Sequence, residues 1–162
     1  MLILSVAALA VVASGPPVVV DARLGPAYLT RSHSHAVGHL LRPAARVGAR
    51  ALVGQRLELG GSAVGLLLAS EHYRVLGALA HARYAVWTTP RFSLGTGAGL
   101  GLGYDADILH RDLHAQGGVA PYGLVAVDGR WTLTGRWLIG VEAAWENLAS
   151  INLGLLVGWG GR

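Results

Sequence analysis

The chain is predicted to be all-β: an eight-stranded antiparallel up-and-down transmembrane β-barrel. Three observations carry that expectation. The first is the stretch from Phe92 to Asp105, which alternates between two unlike faces. Phe92, Leu94, Thr96, Ala98, Leu100, Leu102 and Tyr104 make an oily face, while the other holds Ser93, the glycines at 95, 97, 99, 101 and 103, and Asp105. Period-two alternation means an extended strand, because successive side chains leave opposite faces. A soluble sheet would put charged or hydroxyl side chains on its wet face. Bare backbone suits a crowded lumen instead, with lipid against the oily side. The second is composition: 52% of residues are hydrophobic and 14% charged, with mean hydropathy +0.46. Past the N-terminus no apolar run approaches the ~20 residues of a helical span. The third is the aromatic residues, which collect near the two ends of the expected strands, where Trp and Tyr prefer the level of the lipid headgroups.

The elements follow in order. Residues 1–15 have an apolar run closing in small residues, which reads as a secretory signal cleaved near 13–15, although no Lys or Arg precedes the run. A short anchor or buried helix is the alternative. The barrel is expected over 16–162. Strand one runs from about Val18 to Thr30, with Asp21, Arg23 and Gly25 inward. Strand two, about Ala45 to Val53, turns Arg46, Gly48 and Arg50 inward. A tight connection through Gly54 leads to strand three, about Leu57 to Ala69, with Glu58, Gly60 and Ser62 inward. Strand four, about Arg74 to Trp87, has Gly77, His81 and Arg83 inward, and strand five is the glycine-faced segment.

Strand six, about Val119 to Val127, is apolar on both faces and contains Pro121, a residue that disfavours central strands. Asp128-Gly129-Arg130 reads as a hairpin turn of the Asp-Gly kind. Strand seven is then expected to start at Trp131, with Leu133, Trp137, Ile139, Val141 and Trp145 outward and Arg136, Gly140 and Glu142 inward. Strand eight points Ile151, Leu153, Leu155, Val157 and Trp159 outward. Phe92, Trp131 and Trp159 fall at one membrane edge, with Trp87 nearby. Tyr28, Tyr73, Tyr104, Tyr122 and Trp145 fall at the other, while Tyr84 and Trp137 are expected to lie deeper. Connections after strands two, four and six are brief; those after one (31–43) and five (106–118) are long and polar. Eight strands leave a lumen just wide enough for side chains to fill.

The inward charges are the first candidate site. Asp21, Glu58, Asp105 and Glu142 oppose Arg23, Arg46, Arg50, Arg83 and Arg136, with His81 nearby. An Arg facing lipid at mid-membrane costs about 2–4 kcal/mol, so their shared parity is energetically required. Arginine forks suit carboxylates. The expected role is a structural plug; a gate that opens when pairs exchange is the alternative. Histidines are the second candidate. Of seven, His33, His35, His39, His110 and His114 sit in the two long connections, and His33-Ser34-His35 with His39 has metal-like spacing. Imidazole-rich polar loops also occur without metal, so both readings stand. No cofactor is expected, and the scattered arginines argue against nucleic acid despite a net charge of +4. There are no cysteines, hence no disulfide framework. No serine is placed beside an inward base and an orienting third group, so no enzyme is expected.

Asn152-Leu153-Gly154-Leu155-Leu156-Val157-Gly158-Trp159 resembles the closing signal of bacterial outer-membrane barrels: polar residue, spacer, glycine, two spacers, then two hydrophobic residues one apart. On that resemblance Asn152, Gly154, Val157 and Trp159 would be read by the barrel assembly machinery. Gly160-Gly161-Arg162 continues past the usual final aromatic. The segment 16–162 is similar in length, alternation and loop asymmetry to the outer membrane protein A/X-like barrels. The resemblance implies a Gram-negative outer membrane, lipid as the main partner, and a structural or surface-interaction role through outer loops whose partner is unspecified. A small porin-like pore is one alternative. A soluble lipocalin- or avidin-like barrel binding an apolar ligand is another, and it would reverse the two faces. Within membrane barrels, the lipid A deacylases use a His-x-Ser pair with a carboxylate, and Ser32-His33-Ser34-His35 does not reproduce that arrangement.

Overall fold

A computed structural model of the chain describes residues 17–29, 41–66, 75–104, 118–134, 136–146 and 150–160. They form eight strands: β1 (Val18–Leu29), β2 (Leu41–Leu52), β3 (Leu57–Leu66), β4 (Val75–Thr88), β5 (Phe92–Tyr104), β6 (Val119–Thr132), β7 (Trp137–Glu146) and β8 (Ser150–Gly160). Each pairs antiparallel with its neighbours in sequence, and β8 returns to β1 from Val19↔Gly160 to Leu29↔Ser150, which closes the barrel. Closure removes every unpaired sheet edge, as backbone in hydrocarbon requires. No helix among the described residues is long and apolar enough to cross a membrane. The suggested signal at 1–15 and the histidines of the two long connections lie outside the described residues.

Polarity runs oil outward. Leu100 is 77% exposed and Leu155 68%, whereas Asp21 and Arg50 are each 2% exposed. Leu94, Trp137 and Leu153 likewise lie on the exterior. A soluble ligand-binding barrel would bury these side chains around a dry centre, so that alternative is excluded.

The glycine face of β5 makes room for its neighbour's side chains. A Cβ at Gly95 would come within 2.5 Å of the Arg83 guanidinium, and one at Gly99 within 2.6 Å of Leu79 Cδ1. Glycine there lets Arg83 and Leu79 lean across β5 into the lumen. Gly54 serves the backbone instead. Its φ of 101° turns the chain between β2 and β3, a conformation that residues with a Cβ rarely adopt.

Several expectations need correction. Asp128-Gly129-Arg130 is not a turn: β6 continues to Thr132, and the chain reverses over 133–136. Gly129 has none of the left-handed backbone an Asp-Gly hairpin turn demands. Extended, the segment keeps Asp128 and Arg130 on the lumen side, where both find ion partners. Strand seven accordingly begins at Trp137, which sits at the rim opposite Trp159 rather than deep in the membrane. Tyr122 points inward and is 1% exposed, so it belongs to the lumen and not to a girdle. Tyr73 lies outside the described residues. At the short-turn end, Phe92 packs between Trp87 and Trp131, with ring centroids 5.6 and 4.8 Å away. Pro121 pairs with Leu102 of β5, and among the described residues the β7 ladder begins at Leu124↔Glu146.

Candidate functional site

The lumen holds the chemistry. Lumen-facing parity on β1, β2, β3, β4, β6 and β7 brings five arginines (Arg23, Arg46, Arg50, Arg83, Arg130) against five carboxylates (Asp21, Glu58, Asp128, Glu142, Glu146). Formal charge in this set sums to zero. The pairs form one continuous chain across the barrel. Tyr122 donates its hydroxyl to Glu146, whose other oxygen is 3.8 Å from Arg46. Arg46 pairs with Glu142, which lies 2.7 Å from Arg23 Nε. Arg23 reaches Asp21 at 3.2 Å, and Asp21 also pairs with Arg50.

Toward the short turns the chain branches at Glu58. Its carboxylate receives Arg50 at 3.0 Å, Arg130 at 2.8 Å and Arg83 at 3.1 Å. Asp128 completes the cluster. Arg83 donates Nε and Nη2 to it at 2.8–2.9 and 2.6 Å, and Arg130 adds an Nη2 contact at 2.9 Å. Taking an ion out of water costs several kcal/mol. The geometry offsets that cost with the two-pronged Arg83–Asp128 fork and with shared carboxylates, the fork being the strong form of such bonds.

Apolar side chains pack beside this chain of charges. Ala27, Val64, Leu79, Tyr122, Leu124, Ala126 and Ala144 pack as one cluster toward the long-connection end. Two small gaps of about 30 and 20 Å³ lie beside the network, and each is enough for a water or two. The short-turn mouth differs. There a cavity of about 270 Å³ opens, floored by Arg50, Glu58, Arg83 and Arg130 and rimmed by Arg56 and Arg136.

Among the expected lumen residues, Asp21, Arg23, Arg46, Arg50, Glu58, Arg83 and Glu142 meet in the network. His81 is half-buried and faces the Ser62 hydroxyl, with Nδ1 3.4 Å from Oγ, rather than a carboxylate. Arg136 is a correction: it is exposed at the rim because the chain is still reversing there. Asp105 lies outside the described residues, as do His33, His35, His39, His110 and His114. No group of three His, Cys, Asp or Glu positioned for a metal occurs among the described residues. Sequence reasoning missed Asp128, Arg130, Glu146 and Tyr122. Carrying the period-two count through Asp128 and on from Glu142 would have found the first three. On β8, Asn152 is buried toward the lumen, Gly154 is half-buried, and Val157 and Trp159 face outward.

Comparison with known protein families and with curated proteins found no match. Solved structures do match. The N-terminal β-barrel domain of Pseudomonas aeruginosa OprF superposes with a TM-score of 0.60 at 11% identity, covering 88% of this chain and 96% of that one. Neisserial surface protein A (NspA) gives 0.58 at 16% identity, covering 88% and 95%. Ail, the attachment invasion locus protein of Yersinia pestis, gives 0.55 at 9% identity, covering 90% and 97%. The chain has the outer-membrane β-barrel fold. In this barrel, as in that architecture generally, the exterior is an apolar band edged with aromatics and the lumen holds polar groups. A designed transmembrane β-barrel matches too, with a TM-score of 0.52 at 15% identity, over 91% of this chain and 98% of that one.

Proposed function

We propose that this barrel sits in a Gram-negative outer membrane with a closed lumen, and that its role is structural or surface-interacting, without catalysis or cofactor. The observation that carries this reading is the charge-balanced network that crosses the lumen, combined with an apolar exterior. The connections at 30–40, 67–74, 105–117 and 147–149 all leave the end opposite the short turns. Outer-membrane barrels keep short turns on the periplasmic side and long loops outside, so these segments would carry recognition. The names of NspA and Ail speak of surface and attachment for those proteins, which supports the same reading here. Asn152, Gly154, Val157 and Trp159 would serve insertion by the barrel assembly machinery. The metal reading of His33, His35, His39, His110 and His114 stays attached to the long connections.

Two measurements test this. The chain has no cysteine, so single-cysteine variants report topology cleanly. His110→Cys should react with a charged maleimide on intact cells, and Gln55→Cys only after the outer membrane is permeabilised. The reverse pattern would place the recognition segments on the wrong side. In planar bilayers the purified barrel should show no discrete conductance steps across salt concentration. Regular steps would establish a pore and remove the plug.

A further inference from the structure

The three short turns share a feature that the lumen network does not use. Each ends in arginine immediately before its strand: Arg56 before β3, Arg91 before β5 and Arg136 before β7. The backbone pins them alike. The Arg56 carbonyl accepts from Ala85 N–H at 2.8 Å, Arg91 from Thr132 N–H at 2.9 Å, and Arg136 from Gly160 N–H at 2.9 Å. The equivalent step before β1 is Pro17, whose carbonyl accepts from Leu52 N–H at 3.2 Å. Of four equivalent ladder positions around the mouth, three therefore carry a guanidinium.

Arg56 and Arg136 line the mouth cavity, and each of the three arginines lies two residues before an inward residue: Glu58, Ser93 and Leu138. The intervening residues Leu57, Phe92 and Trp137 take the lipid side. In a ring of eight strands, β3 and β7 stand opposite each other with β5 between them. Arg56 and Arg136 thus face across the 270 Å³ cavity that both line. That space is more than ten times the ~10–15 Å³ needed for one water.

The charge is not cancelled. All three arginines are exposed, and the turns contain no Asp or Glu. Glu58, at the cavity floor, is already shared by three arginines, and the network beneath is neutral. Ser93, Thr88 and Thr132 add hydroxyl donors to the wall.

We propose that this mouth is a binding site for a small soluble polyanion bearing two or more phosphate or sulfate groups. Such a ligand spans opposite walls and receives planar guanidinium forks that match its oxygens. A bilayer headgroup is the poorer fit, because Arg56 and Arg136 line the cavity itself. The inference holds whichever compartment the mouth faces, so the cysteine-labelling result does not decide it.

The test uses the full barrel in nanodiscs of phosphatidylcholine, titrated calorimetrically with inorganic tripolyphosphate. Saturable one-to-one binding is expected. The double variant Arg56→Gln/Arg136→Gln should weaken it by about ten-fold or more, the scale of losing charge-assisted hydrogen bonds. The double variant Arg31→Gln/Arg111→Gln, the same charge change in the long connections, should leave it within about two-fold, below the energy of one such bond. Heat-modifiable gel mobility checks that each variant is folded. Three outcomes overturn the proposal: no saturable binding, equal loss in the rim and control variants, or displacement of tripolyphosphate when phosphatidylglycerol replaces part of the lipid. The last would make the lipid headgroup the occupant.

Discussion

Replacing Glu58 with alanine is expected to destabilise the barrel by about 3 kcal/mol, the lower end of the ~3–5 kcal/mol range for removing one partner of a buried ion pair. The side chain keeps 18% exposure at the cavity floor, so water partly compensates the arginines it leaves behind. The effect is nevertheless large because Glu58 is a hub. It receives Arg50, Arg83 and Arg130 within 3.1 Å. Its loss turns a balanced set into five arginines facing four carboxylates. Glu58→Gln should fall between wild type and alanine, since it keeps the shape and one acceptor oxygen but not the charge. Urea unfolding in phospholipid vesicles, followed by tryptophan fluorescence and gel mobility, measures the difference. A loss below about 1 kcal/mol, the scale of an exposed pair, would mean that the network contributes little to holding the barrel shut.

The second large effect tests polarity directly. Ala98 faces outward midway between Phe92 and Tyr104, beside Ala82 and Val125 on the neighbouring strands. Ala98→Arg should cost about 2–4 kcal/mol, as for a guanidinium held at mid-bilayer. The same substitution at an exterior site in water would sit within about 0.5 kcal/mol of neutral. Measured in vesicles, a negligible change would sink the assignment of this face to lipid. It would do so without disturbing the lumen, which keeps the two predictions independent.

Much of this architecture was legible in the residues themselves. In β5, glycine and aliphatic residues alternate without interruption, and the structure places those faces as parity requires. Asp21, Arg23, Arg46, Arg50, Glu58, Arg83 and Glu142 all carry inward parity and all meet. The errors cluster in β6 and just after it. Asp128-Gly129-Arg130 has the local composition of a turn, yet ion pairing with Arg83 and Glu58 holds it extended. That partnership spans 45 residues between Arg83 and Asp128, so no short window reveals it. Moving the strand end from Val127 to Thr132 shifts the reversal to 133–136, which puts Arg136 and Trp137 at the rim. Tyr122 was misplaced for a related reason: both faces of its strand are apolar, so alternation could not say which one looked inward.

Side-chain alternation is a property of the extended backbone, and it alone is enough to say which residues meet lipid and which meet the lumen. Which carboxylate meets which arginine depends on the stagger and tilt of closed strands, quantities that alternation does not encode. The bond from β7 Glu142 to β1 Arg23, the shared role of Glu58, and the gathering of Arg56, Arg91 and Arg136 around one mouth exist only once the ring is closed. Closure converts a list of inward charges into a particular neutral network, and it leaves one end of the barrel positively charged.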